Sequence, residues 1–220
     1  KQPLIFDDAG ISNDYKFGFD TYGNTLDSGN QVIKYKGDWD TFYGGIAYSL
    51  NGDGDSLVDN GDGTAGEDGQ QQLDMNIGVR FANVDLAAFY STGHDSTDND
   101  AYSTDNSAYI VQAKYNIDAF QLGAFYSNET IDSSDGHSMS DLTHYGLSGI
   151  YSMNAWNFGL GWGTVQNNLD YKGFADKAGV DQERNDYYAN VAYAFTSNIQ
   201  SYVEVGYSDE DNSEIGYIVG

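Results

Sequence analysis

The residues of this chain that could do chemistry are carboxylates, a few cations and three histidines. Segment 51–64 reads NGDGDSLVDNGDGT and carries Asp53, Asp55, Asp59 and Asp62. Their oxygens could wrap a Ca2+ ion, but no register supplies the Gly at position six and the closing Glu at twelve of an EF-hand loop. A solvated, charged loop is the stronger reading. His94, His137 and His144 lie in or near separate loops, without metal-ligand spacing to one another. No nucleophile elbow, phosphate-binding Gly-rich loop or HExxH motif occurs. The chain has no Cys, which removes disulfides, thiolate metal sites and cysteine nucleophiles. These residues point away from catalysis and call for no cofactor, with Ca2+ as the one weak candidate.

The cations are few and regularly placed. Lys34 and Lys36 alternate with Ile33 and Tyr35, and Arg80 alternates with Val79 and Phe81. By the same parity Lys114 shares a face opposite apolar neighbours. Nine Lys and Arg stand against 34 Asp and Glu, a net charge of −25. Nucleic acid is thereby excluded as a partner, because phosphate binding needs a basic surface. Such acidity favours cations, divalent ions or basic ligands.

The elements that must hold these residues are strands. Apolar residues recur with period two from residue 31 onward. The pattern predicts eleven strands: 31–37, 41–50, 72–82, 85–92, 107–116, 120–128, 143–153, 156–167, 187–196, 199–208 and 214–220. Leu73, Met75, Ile77, Val79 and Phe81 share one face, opposite Asp74, Asn76, Gly78 and Arg80. Trp156, Phe158, Leu160 and Trp162 oppose Asn157, Gly159, Gly161 and Gly163. No run of about 18 apolar residues is present to make a transmembrane helix, a test that a barrel escapes.

The connections alternate in length. Short ones fall at 37–40, 83–84, 117–119, 154–155 and 197–198. Long polar ones fall at 51–71, 93–106, 129–142 and 168–186, with a shorter one at 209–213. Short turns on one side and long loops on the other are the plan of a bacterial outer-membrane barrel. Aromatics cluster at both strand ends. Phe42, Phe81, Tyr115, Phe120, Tyr151, Trp156 and Phe195 lie near the short turns. Tyr48, Tyr90, Tyr109, Tyr126, Tyr145, Trp162, Tyr187 and Tyr207 lie near the long loops. These read as two interfacial girdles. Glycines at Gly45, Gly78, Gly123, Gly146, Gly159, Gly161, Gly163, Gly206 and Gly216 fall on the polar face. They are expected to leave a lumen open to water.

Residues 1–36, KQPLIFDDAGISNDYKFGFDTYGNTLDSGNQVIKYK, resemble the constriction region of the general bacterial porins, especially those of gammaproteobacteria. There a strand ending in a basic residue and Gln, here Lys1-Gln2, leads into an acidic loop bearing Gly and aromatics. The chain then resumes as a strand resembling QVIKYK. The likeness extends loosely to residue 220. It implies a transmembrane antiparallel β-barrel of roughly sixteen strands, here one domain over 1–220, with 1–30 the inward-folded constriction loop and 31–220 the wall. Eleven strands follow the loop, so the resemblance implies that about a third of the barrel precedes Lys1, and that a few residues follow Gly220.

The resemblance also implies roles. Asp7, Asp8, Asp14 and Asp20 on the loop would face Lys34, Lys36, Arg80 and Lys114 on the wall. Opposed charges across a narrow wet pore orient polar solutes and bias ion choice. Related sequences often carry an Arg just before the strand that follows the loop. This chain has Asp27-Ser28-Gly29 there, which favours cations. The implied protein is a homotrimeric diffusion porin of the outer membrane, in contact with lipid, lipopolysaccharide and small hydrophilic solutes. Two other readings stay open: a surface adhesin or receptor barrel, and a secreted, soluble Ca2+-binding β protein.

Overall fold

A computed structural model describes residues 2–3, 5, 9–11, 28–29, 32–50, 71–96, 103–133, 136–168, 183–209 and 213–220. Eleven antiparallel strands form one sheet in which each pairs with its neighbours in sequence. They are β3 (Val32–Trp39), β4 (Phe42–Ser49), β5 (Gln71–Phe81), β6 (Val84–Ser96), β7 (Ser103–Ile117), β8 (Phe120–Ser133), β9 (Ser138–Met153), β10 (Trp156–Asn167), β11 (Glu183–Thr196), β12 (Ile199–Ser208) and β13 (Gly216–Val219). Two short strands precede them, β1 (Gln2–Pro3) and β2 (Ser28–Gly29), which pair with each other and tie the base of the segment between them. Among the described residues there is no helix. All eleven expected strands are present, in the expected order.

One side of the sheet is closed by two-residue turns, at 40–41, 82–83, 118–119, 154–155 and 197–198. Asp40, Ala82, Asp118 and Asn154 take positive φ there, between 48° and 64°. A positive φ at the first turn residue matches the right-handed twist of the flanking strands. The first turn differs from the expected 37–40. Gly37 and Asp38 belong to β3, and a Cβ at Gly37 would collide with the ring of Trp39. Gly37 is thus the ledge on which that ring folds back, and the chain turns at Asp40-Thr41.

On the other side the strands outrun their apolar pattern. β8 continues to Ser133 and β9 starts at Ser138, so the expected loop 129–142 is mostly hairpin. The same holds for 93–106, where β6 reaches Ser96 and β7 starts at Ser103. Side chains here alternate no apolar face, yet the backbone ladder continues and polar pairs brace it. Ser107 and Thr130 hydroxyls meet at 2.8 Å, and Asn128 Nδ2 donates to Asp141 Oδ1 at 3.0 Å. The 16 residues of β9 rise roughly 50 Å, more than a ~30 Å hydrocarbon layer needs even with tilt.

Burial is inverted relative to a water-soluble domain. Asp74 and Glu204 are 0% exposed, whereas Ile77 is 68% and Leu160 64% exposed. The apolar residues form a continuous outer band: Ile33, Ile77, Val111, Leu122, Leu147, Leu160 and Val203. A band of this size in water would drive aggregation, which removes the reading of a soluble Ca2+-binding protein. Rings edge the band on both sides. Phe120–Tyr151 at 4.7 Å and Trp156–Tyr193 at 4.6 Å lie near the turns. Tyr109–Tyr126 at 6.1 Å, Tyr145–Trp162 at 5.9 Å and Tyr187–Tyr207 at 6.3 Å lie on the opposite side. These two belts are the girdles expected from the sequence.

Candidate functional site: the inner wall and the inward segment

The inner face is built by register. Lys34 pairs with Ala47, Ala47 with Asp74, and Asp74 with Ser91. Lys36 pairs with Gly45, and Gly45 with Asn76. Both lysines therefore share the face of buried Asp74, as parity required. Lys114 stands opposite Asp85 in the β6–β7 ladder, on that face too.

Arg80 lies there as well, but it is not a solitary wall cation. Its guanidinium donates from Nη1 to both carboxylate oxygens of Asp38, each at 2.9 Å, and from Nε to Asp85 at 3.4 Å. It stacks 4.1 Å over the ring of Tyr43, whose hydroxyl donates to Asp85 at 2.6 Å. Two carboxylates thus neutralise one cation beside the turns, and the group ties β3, β4, β5 and β6 together. Arg184 is likewise held by Asp186 at 2.9 Å.

Sequence reasoning singled out the cations and passed over the wall's own acids. Asp74 Oδ1 accepts from Gln72 Nε2 at 2.8 Å and Ser91 Oγ at 2.7 Å, all buried. Glu204 accepts from Asn190 Nδ2 at 2.8 Å. The parity that placed Arg80 inward also places Asp74 inward, so the signal was present. Asp7, Asp8, Asp14 and Asp20 lie outside the described residues, as do Asp53, Asp55, Asp59 and Asp62. Among the described residues no group of three or more His, Cys, Asp or Glu could hold a metal ion.

A segment crosses this wall. Ile5 and Ile11 are buried against Ala47, Ala87, Phe89, Ala108, Ile110 and Phe125, with Ala9 packed beside them. The Gly10 amide donates to Gln112 Oε1 at 2.9 Å, and Ser148 Oγ donates to the Ile11 carbonyl at 2.6 Å. Gly10 has φ 151°, a conformation side chains rarely adopt. The described part of the expected constriction loop therefore lies on the inner wall. This corrects the reading of the inner glycines as open space. Five of the nine are occupied positions: a Cβ would meet Ile5 at Gly45, Tyr43 at Gly78, Ile11 at Gly123, Phe125 at Gly146 and Asn190 at Gly159.

The sequence pattern of the Gram-negative porins matches residues 2–213. Porin-like protein H of Photobacterium profundum is 32% identical over 228 residues, covering 100% of this chain and 66% of that protein. The chain thus spans just under two thirds of that curated relative's length. The trimer form of OmpT, an outer membrane protein of Vibrio cholerae, superposes with a TM-score of 0.73 at 21% identity, over 95% of this chain and 64% of OmpT. An anion-selective porin from Comamonas acidovorans superposes with a TM-score of 0.64 at 11% identity, over 87% of this chain and 54% of that one. At such identities the two structures speak for the fold alone, which is that of the porin barrels. With an apolar band between aromatic belts, a polar inner face and these relatives, the chain belongs to the Gram-negative porin family of the bacterial outer membrane.

Proposed function

We propose that the full-length protein is a passive diffusion channel for small hydrophilic solutes and ions, preferring cations, and that it works as a homotrimer. The observation that carries this reading is the burial of Ile5 and Ile11 against the inner wall, with the Ile11 carbonyl held by Ser148. That is where a constriction loop narrows a pore without plugging it. Asp7, Asp8, Asp14 and Asp20 would supply the acidic side of the constriction, and Lys34, Lys36 and Lys114 the basic side. Arg80 belongs to this set with its charge already met by Asp38 and Asp85.

The cation preference rests on charge. The chain carries −25, and its two wall arginines are paired with carboxylates. Fold does not set the sign of selectivity, since an anion-selective porin shares it. A trimer is supported by the trimeric OmpT among the structural relatives. Acidic residues above the upper belt, Asp105, Asp141 and Asp209, would stand at the level of lipopolysaccharide headgroups. The reading assigns no reaction and no cofactor, and leaves Ca2+ at Asp53, Asp55, Asp59 and Asp62 as a side possibility for the outer loop.

Single-channel recording of the full-length protein in a planar bilayer under a salt gradient tests it. Ohmic steps in groups of three, with a reversal potential of cationic sign, are expected. A folded protein without conductance overturns the channel and favours a surface-binding barrel, which the long hairpins β6–β7 and β8–β9 would serve.

A further inference from the structure

The inner wall is notched at two places under the inward segment. A Cβ at Gly45 would stand 2.7 Å from Ile5 Cδ1 and 3.0 Å from the Tyr35 carbonyl. A Cβ at Gly123 would stand 2.7 Å from Ile11 Cβ, 2.7 Å from Ser148 Oγ and 3.1 Å from the Ile11 carbonyl. Carbon atoms in good contact lie about 3.5–4.0 Å apart, so a side chain at Gly123 requires Ile11 and the Ser148 hydroxyl to back away, and one at Gly45 requires the tip of Ile5 to move. Ile5 is 0% and Ile11 4% exposed, which shows that both knobs are fully seated. Between them, the Gly10 amide bonds to Gln112, and Ser148 holds the Ile11 carbonyl. A glycine weakens a strand interior unless something must approach the backbone closely. Here the approaching group is part of the same chain.

We propose that Gly45 and Gly123 are the positions that set the width of the pore in this protein. They act as sockets that fix how closely the inward segment lies against the wall. This rests on the channel reading. The segment stands between wall and lumen, so any atom added beneath it moves it toward the lumen. At Gly45 one methyl group meets the tip of the Ile5 side chain, whereas at Gly123 it must shift the Ile11 Cβ by about 1 Å to restore ordinary contact. A branched side chain must shift it further. The two sockets lie on β4 and β8, and the apolar wall from Ala47 to Phe125 fills the space between. Ile5 and Ile11 are therefore seated at two separated points of the wall. The polar ties orient the segment, and the sockets set its height.

The test is a size swap in the full-length protein, read as single-channel conductance. Gly123→Val is expected to lower conductance roughly 1.5-fold, because one wall of a narrow lumen advances. Adding Ile11→Gly to Gly123→Val is expected to restore part of it, since the Cβ that meets the socket is removed. Unchanged conductance in Gly123→Val overturns the sockets, as does a double variant no better than the single one. A wild type without conductance overturns the channel reading and this assignment with it. Should Gly123→Val fail to reach the membrane folded, Ile11→Cys with Gly123→Cys replaces it. The chain has no native Cys, and a small relaxation brings the two Cβ atoms to the ~3.8 Å of a disulfide. Crosslinking in isolated outer membranes supports the sockets. A folded pair that stays reduced under oxidant overturns them.

Discussion

Ser148 Oγ and the Ile11 carbonyl meet at 2.6 Å across 137 positions of sequence. Ser148 is buried on β9, and its partner belongs to the segment lying on the wall. Removing the hydroxyl strands a buried carbonyl, which costs about 1–3 kcal/mol. Ser148→Ala is therefore expected to raise the fraction of time the segment is detached about tenfold. Open-channel current noise in bilayers measures this, and noise equal to wild type would count against the tie.

Arg80 offers a test of selectivity. Arg80→Gln leaves Asp38 and Asp85 uncompensated on the inner face. A unit charge about 8 Å from a passing monovalent ion is worth about 0.5 kcal/mol in water, with opposite sign for cation and anion, so the cation-to-anion permeability ratio should rise roughly fivefold. The shift should shrink in 1 M salt, where the screening length is about 3 Å. The stability cost should stay under about 1 kcal/mol, because the Arg80–Asp38 pair is well solvated. A reversal potential that moves toward anions, or not at all at low salt, contradicts the inward placement of the cluster.

The two faces of β10 predict opposite tolerances. Leu160 sits on the outer band, registered with Gly149 and Ala189. Leu160→Arg would place a cation against lipid and should cost about 2–4 kcal/mol if near the bilayer midplane. Asn157→Arg, three residues away on the inner face, should cost less than about 1 kcal/mol. Urea titration of the full-length protein in lipid vesicles separates the two. Equal costs would mean that the outer band is not lipid-facing.

How much of this was legible in the sequence depended on what each residue faces. Trp156, Phe158, Leu160 and Trp162 announce a strand because lipid on one side and polar lumen on the other impose period two. Above the upper belt no such contrast exists, so Glu129 to Ser133 read as loop although they continue β8. Asp85 as a partner of Arg80 was within reach, since a two-residue turn sets them opposite each other. Asp38 was harder, because it required placing the first turn at Asp40-Thr41 instead of at Gly37. The seating of Ile5 over Gly45 and Ile11 over Gly123 was not legible at all. Nothing local in either glycine distinguishes an empty position on a pore wall from one filled by a distant residue.

Asp209 carries a pH dependence whose sign follows from its partners. It lies just past β12, outside the spanning segments, and accepts from the Asn185 amide at 2.6 Å and from Asn185 Nδ2 at 2.8 Å. Asn185 Oδ1 in turn accepts from Trp162 Nε1 at 3.1 Å. The chain Asp209–Asn185–Trp162 thus fastens β12, β11 and β10 at the upper belt. The backbone hydrogen bond from Asn185, and then its side-chain bond, favour the carboxylate and hold Asp209 below its ordinary value of 3.8. A depressed folded value means that the contribution is fully present above pH 3.8, and is lost as pH falls through the lower folded value. The Asn185 backbone amide should therefore shift in an NMR titration with a midpoint below 3.8, and Asp209→Asn should abolish that step. A midpoint at or above 3.8 would mean that Asn185 does not hold the carboxylate, and that the tie from Asp209 to β11 at this corner rests on the Asp209 amide donating to the Asn185 carbonyl at 3.0 Å.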